Sequence, residues 1–407
     1  MQMNDLKSIQ AYKVSLLIGV ILCCNALLSS AQTPDSGYFK TRAGLANTYR
    51  LIEKEQKVIV AFFGGSITFN PGWREMVCTY LKERFPAVSF KFINAGIPSL
   101  GSLPHAFRLQ TDVLDPGKPD LLFVEAAVND RVNGTDSLTQ IHALEGIVRH
   151  AKKSDPSMDI VLMSFTDPDK TADYKRGITP VEVMNHELVA AHYGLPSINL
   201  AKEVYERMER HEFSWENDFK DLHPSNFGQL LYFSTIKKML EVCFDNAKAY
   251  DSRRVIKGMP KPLDKANYDN GKYLDIKNAH YDNNWTLDNH WQPADSLATR
   301  PGFVRVPMLT TEKAGASLSL QFKGSAIGMA VVSGADAGVI SYSIDGGPYK
   351  ETDLFTQWSN MLHLPWYVLF KDNLPSTLHT LTIKVNNQKN INSKGNACRI
   401  VRFIVNT

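Results

Sequence analysis

Two hydrophobic rhythms divide this chain. Between about residues 56 and 250, short apolar runs of strand length alternate with stretches whose apolar residues recur every three or four positions. Val58–Phe63 is an unbroken β-branched and aromatic run, the pattern of a strand buried on both faces. Gly72–Phe85 carries Trp73, Met76, Val77, Tyr80 and Leu81 at helical spacing and stops before Pro86. Val88–Asn94 alternates as a second strand, and the runs at 121–125 and 160–165 supply a third and a fourth. Helices are expected over 140–152, 181–192 and 226–243, with a shorter fifth strand at 197–200. Strands separated by helices need right-handed crossovers, so the pattern predicts a parallel sheet with helices on both faces.

Beyond about residue 300 the period becomes two. The runs 317–322, 327–332, 339–344, 379–385 and 399–405 read as strands, with a turn at Asp345-Gly346-Gly347. They predict a small antiparallel β-sandwich or jelly roll over 301–407. Residues 251–300 are rich in Asp, Asn, Lys and Tyr and keep no apolar period. That stretch is expected to connect the two domains, holding no more than a turn or a short strand.

The first 31 residues follow neither rhythm. Lys7 and Lys13 precede the apolar run Val14–Leu22, and Ser29, Ser30 and Ala31 follow it, the layout of a secretory signal cleaved after Ala31. The run is shorter than the roughly 20 residues of a bilayer-spanning helix. A lipid anchor at Cys23 or Cys24 wants a small residue just before the cysteine, which Leu22 and Cys23 fit poorly. The sequence therefore predicts export to the periplasm or beyond, no membrane insertion after cleavage, and an α/β domain over 32–250.

Composition narrows the partners. A formal charge of +3 over 407 residues, with Lys and Arg scattered, offers no case for nucleic acid or an anionic membrane. Of the five cysteines, Cys78, Cys243 and Cys398 remain after cleavage, at no metal-like spacing. Cys78 and Cys243 read as small core residues, and a Cys243–Cys398 bridge has no support in the sequence.

Four loops carry the candidate chemistry. The first strand ends in Gly64-Gly65-Ser66, a turn too tight for side chains that delivers a hydroxyl to the sheet's edge. Asn94-Ala95-Gly96 and Val128-Asn129-Asp130 lie at the ends of two further strands, and Asp221-Leu222-His223 precedes the last helix. In an open parallel sheet the carboxyl ends of the strands share one rim, so the first three loops converge. Acyl transfer needs a nucleophile, a base, an orienting acid and oxyanion donors. Ser66 supplies the nucleophile and His223 the base, and a carboxylate near His223 would fix its tautomer. The backbone N–H groups of Ser66 and Gly96 and the Asn129 amide are the candidate donors.

These blocks, in this order, resemble those of the SGNH hydrolases, or GDSL-like esterases. Gly64-Gly65-Ser66-Ile67-Thr68 together with Glu125-Ala-Ala-Val-Asn-Asp130 resembles the branch carrying Gly-Gly-Ser-Ile-Thr in place of Gly-Asp-Ser. The resemblance spans about Lys57–Val242. It implies a three-layer α/β/α, flavodoxin-like fold, a Ser/His/Asp triad, and an oxyanion hole of the Ser66 and Gly96 amides plus Asn129. The chain departs from the family twice. Ala127 stands where the Asn block usually has Gly. The family's acid lies three residues before its His, where this chain has Lys220; Asp221 is two before and Asp218 five. The Asp-x-His-Pro spacing resembles that of some carbohydrate O-acetylesterases and favours Asp221. A dyad with His223 held by a backbone carbonyl stays open.

Other features read more plainly. Asp130 suits a loop-bonding role and Glu125 that of a buried polar anchor. His186-Glu187 with His192 lacks the zincin spacing, since position 190 is Ala. Asp112, Asp115, Asp167 and Asp169 suit turns rather than calcium. Trp358, Trp366 and Tyr367 form either a sugar-stacking platform or part of a sandwich core. The resulting expectation is an exported serine esterase that needs no metal or organic cofactor and removes O-acetyl groups from an acetylated oligo- or polysaccharide. A lipase, thioesterase or arylesterase of the same fold, or a glycan-binding protein with a vestigial esterase domain, is the alternative.

Overall fold

A computed structural model describes residues 37–248, 255–256 and 258–407, so the predicted signal segment lies outside the described residues. The first sheet uses β1 (Phe39–Lys40), β2 (Lys57–Gly64), β3 (Ser89–Gly96), β4 (Leu121–Glu125), β5 (Asp159–Ser164) and β6 (Ser197–Asn199). Their order is β1-β6-β5-β4-β2-β3, parallel throughout except for the antiparallel edge strand β1. Around it lie α1 (Ala46–Lys54), α2 (Ser66–Phe69), α3 (Trp73–Arg84), α4 (Ser102–Leu109), α5 (Ala127–Val132), α6 (Ser137–Ser154), α7 (Pro168–Lys175), α8 (Val181–Tyr193), α9 (Leu200–Glu209) and α10 (Asn226–Ala247).

Strand alternation splits β2 between two cores. Val58, Val60 and Phe62 pack with α3, α9 and α10 on one face, whereas Ala61 and Phe63 pack with α4, α6 and α8 on the other. Burial on both faces is why β2 reads as one continuous apolar run. The expected three-layer α/β/α arrangement is present.

The second domain is all-β. Five strands in the order β15 (Lys350–Asp353), β14 (Val339–Ile344), β17 (Thr377–Val385), β12 (Ser317–Gly324) and β8 (Ala279–Tyr281) form one sheet. The other runs β10 (Ala298–Thr299), β16 (Leu362–Lys371), β13 (Ala326–Ser333), β18 (Cys398–Asn406), β11 (Val306–Thr311) and β9 (Thr286–Trp291), with β7 (Gly271–Leu274) also on β18. Leu318, Leu320 and Phe322 of the first sheet meet Ile327, Met329 and Val331 of the second between the layers. Alternate residues of β13, Ala326, Ala330 and Val332, face the opposite way and join the core under α4 and α6. The sandwich therefore packs its larger sheet against the α/β domain, and residues 38–407 form one compact unit.

One expectation needs correction. Residues 251–300 do more than connect, since β7, β8, β9 and β10 lie there and pair into both sandwich sheets. These strands are short and show one face or edge to solvent, so their polar residues hide the period of two. Of the two readings of Trp366 and Tyr367, the structure supports packing rather than a shared platform. They are successive residues of β16 and face opposite sides, Trp366 against the sandwich core and Tyr367 buried at the domain junction. Cys78, Cys243 and Cys398 are all free, and burial pushes the Cys243 and Cys398 thiols up to about 12.

Candidate active site

The parallel register pairs Gly64 at the end of β2 with Gly96 at the end of β3. Both positions are glycine because neighbouring groups occupy the space of a Cβ. At Gly64 a Cβ would lie 2.3 Å from Thr68 Oγ1, and at Gly96 2.4 Å from the Phe69 nitrogen. The short helix α2 thus sits directly on the end of β3, and the chain turns at Gly65 to put Ser66 at its first position.

Next along the rim, β4 ends at Glu125, whose carboxylate accepts a hydrogen bond from the Val128 N–H at 3.2 Å. Burial raises the Glu125 carboxyl to about 7, and Asp130 is pushed up to about 7 for the same reason. Asp130 accepts from the Ser102 N–H at 2.8 Å and the Ser102 hydroxyl at 2.9 Å, tying α5 to the start of α4. Between these anchored residues stands Asn129, almost wholly buried. Its Nδ2 lies against Gly65, where an added Cβ would come within 2.0 Å. Both Glu125 and Asp130 hold backbone in place.

His223 arrives from the far end of the domain. Phe219 is fully buried, stacked on Trp215 at 4.8 Å between ring centroids, and its carbonyl accepts from the Ser225 N–H at 3.0 Å. Ser225 then caps α10 by accepting from the Phe227 N–H at 3.2 Å. This tethered loop brings His223 Nε2 to 2.8 Å from Ser66 Oγ. With its proton on Nδ1, the neutral ring accepts from the serine hydroxyl.

The remaining site residues are less simply placed. Asp221 Oδ1 accepts from the His223 backbone N–H at 3.2 Å and lies 3.8 Å from Nδ1, beyond hydrogen-bond reach. Asp218 turns away and accepts from the Ser214 N–H at 2.8 Å. The Gly96 N–H donates to the Asn94 side-chain oxygen at 3.0 Å, so a substrate oxygen has to displace that contact before it can use this donor.

Sequence reasoning singled out neither of two arginines near the rim. Arg108 of α4 is fully buried beneath the ends of β2 and β3. Arg300, from the β-domain, donates to the Ser99 hydroxyl at 3.2 Å in the loop that follows Gly96. A charged residue inside the apolar stretch Ser102–Leu109 was the available signal for Arg108; Arg300 lies in a polar stretch and had none.

His186 and His192 do not converge. His186 is buried with Nδ1 2.8 Å from the Glu182 carbonyl, whereas His192 Nε2 lies 2.7 Å from the Lys261 carbonyl. Among the described residues no group of His, Cys, Asp or Glu has metal-holding geometry. A cavity of about 300 Å³ lies at the amino ends of the strands, beside Asp159 and Leu195, on the opposite side of the sheet from Ser66.

A serine hydroxyl hydrogen-bonded to an imidazole at the carboxyl rim of a parallel sheet is an arrangement that can support acyl transfer. Residues 62–231 match the model of the GDSL-like Lipase/Acylhydrolase family. No curated protein sequence matches the chain. Among solved structures, a two-domain esterase active on acetylated mannans, co-crystallized with mannopentaose, is 22% identical with a TM-score of 0.68, over 91% of this chain and 98% of that one. A second structure described as a two-domain esterase active on acetylated mannans is 21% identical with a TM-score of 0.68, over 91% of this chain and 99% of that one. The likeness extends over both domains and their arrangement as a fold.

Proposed function

We propose that this chain is an exported serine esterase that removes O-acetyl groups from a polysaccharide, with acetylated mannan as the first substrate to try. The observation that carries the proposal is the 2.8 Å contact between Ser66 Oγ and His223 Nε2, made beside the Asn129 amide at Gly65. His223 Nε2 takes the hydroxyl proton as Ser66 Oγ attacks the acetyl carbonyl. The developing oxyanion accepts from the Ser66 N–H, from Asn129 Nδ2, and from the Gly96 N–H once Asn94 yields it. His223 then gives its proton to the departing sugar oxygen, leaving an acetyl group on Ser66. A water molecule, deprotonated by His223, attacks that ester; acetate leaves and the proton returns to Ser66 Oγ.

The choice of glycan leans on the structural neighbours, which act on acetylated mannans and share both domains with this chain. Export leans on the pattern of residues 1–31 alone. Acetate release from a panel of acetylated mannan, xylan, pectin and sialic acid, set beside long-chain nitrophenyl esters, tests the substrate. Release from at least one glycan, with slow turnover of the long-chain esters, is expected. Turnover of the long-chain esters alone would contradict the proposal.

A further inference from the structure

The side chain of Arg108 is fully buried, and burying a guanidinium is costly unless its charge and its donors are matched. One match is Asp112, whose Oδ2 accepts from Nη1 at 2.8 Å. Of the other donors, Nη2 reaches the active-site rim, while Nε–H has no hydrogen-bond partner among the described residues. Nη2 donates to the Ala95 carbonyl at 2.8 Å and to the Gly64 carbonyl at 3.2 Å. The guanidinium lies 4.2 Å over the Phe63 ring, which fixes its plane under the two strand ends.

These two carbonyls are not arbitrary. The Ala95 C=O and the Gly96 N–H belong to one planar, conjugated peptide unit. A cation that draws electron density from the oxygen makes the nitrogen of that unit a stronger donor, and chains of hydrogen bonds in a low-dielectric interior reinforce one another. Gly64 precedes Gly65, against which Asn129 Nδ2 rests, so its carbonyl anchors the turn that aims Ser66. An ordinary core contact would be made as well by an apolar side chain of the same length. Two charge-assisted bonds to carbonyls at the ends of β2 and β3 ask for more than filling.

We infer that Arg108 is a positioning residue for acyl transfer: it locks the ends of β2 and β3 together and polarises the Ala95–Gly96 peptide, so that the Gly96 N–H becomes a competent oxyanion donor. The inference rests on the esterase reading above. Arg108 touches no substrate. It acts through a peptide group whose opposite end does.

The full chain and its Ser66→Ala, Arg108→Lys and Arg108→Met variants are compared on p-nitrophenyl acetate, with thermal melting to verify folding. In Arg108→Met, kcat is expected to fall about 10- to 100-fold, somewhat less than deletion of an oxyanion donor itself. KM is expected to stay within about threefold, because the interaction gains strength in the transition state rather than the ground state. Arg108→Lys keeps the charge but not the planar fork, and is expected to recover part of the lost kcat while remaining at least about fivefold below wild type. Fluorophosphonate labelling of Ser66, which also develops charge on an oxygen in the hole, should slow in the same order. A folded Arg108→Met or Arg108→Lys protein with kcat within twofold of wild type would overturn the inference, as would a loss confined to KM. If the methionine variant does not fold, the lysine variant decides alone. Full activity in Ser66→Ala would instead overturn the esterase reading, whatever the arginine variants do.

Discussion

The Asp221 carboxylate stands 3.8 Å from Nδ1 of His223 and meets the backbone N–H of the same residue at 3.2 Å. Its side chain is about two-thirds exposed, so solvent screens what attraction the pair has. The position suits a residue that shapes the loop more than one that steers the imidazole. Exposed pairs of this kind are worth up to about 1 kcal/mol, so Asp221→Asn is expected to lower kcat only about two- to fivefold. Steady-state kinetics beside Ser66→Ala checks this. A fall to the Ser66→Ala level would establish a full triad that tightens when substrate binds.

Gly65 and Asn129 form a second pair whose dependence is mutual. A Cβ at Gly65 would come within 2.0 Å of Asn129 Nδ2, and the φ of −88° at Gly65 lies outside the left-handed region that favours glycine. Gly65→Ala should therefore fold but push the amide away from the oxyanion. Loss of one such donor costs about 100- to 1000-fold in kcat, and both Gly65→Ala and Asn129→Ala are expected in that range. Because the two changes remove the same interaction, the double variant should be scarcely worse than either single one. Multiplying losses would show that Gly65 acts by another route.

The domain junction carries a pH dependence of its own. His142 on α6 lies 3.2 Å from Asp264 and 3.4 Å from Asp372, which follows β16 in the β-domain. Burial alone would lower the His142 pKa, but the two carboxylates more than offset it and the net shift is upward. Asp372 is lowered, chiefly by His142, and Asp264 by the Ala266 backbone N–H and then by His142. A raised histidine contributes stability that is complete below its unfolded pKa of about 6.5 and is lost as pH rises through the folded value. The lowered carboxylates contribute above about 3.9 and lose it as pH falls through their folded values. The cluster should therefore stabilise most between about pH 4 and 6.5. The melting temperature of wild type is expected to exceed that of His142→Gln by roughly 2 °C or more at pH 5.5, and by less at pH 8.5. A difference that stays constant, or widens with pH, would contradict the ion-pair account.

How much of this was legible in the sequence varies with the kind of force involved. The sheet of the α/β domain was, because strands such as Val58–Phe63 are buried on both faces and leave no ambiguity of period. The turn at Gly64-Gly65-Ser66 was, because close approach admits only glycine and the sequence shows two in a row. The strands at 271–299 were not, since short edge strands owe their place to partners far away in the chain, not to their own pattern. The fusion of the two domains was hidden for a related reason. Residues 326–333 carry almost no polar alternation, a sign of burial on both faces that resembles any strong strand until its second partner, α4 and α6, is known. Side-chain distances lay furthest out of reach. A spacing of two residues brings Asp221 near His223 but does not set the orientation of either ring or carboxylate. Asn94, which takes up the Gly96 N–H, gave no signal beyond its place in the same turn.

Every step of the proposed mechanism turns on Ser66 as the nucleophile, and covalent trapping addresses that most directly. The full chain is treated with a fluorophosphonate, digested, and its peptides are weighed by mass spectrometry. One adduct is expected, on the peptide bearing Gly64-Gly65-Ser66, formed far more slowly in His223→Ala and absent in Ser66→Ala. An unmodified wild-type protein, or an adduct that persists on another residue in Ser66→Ala, would contradict it.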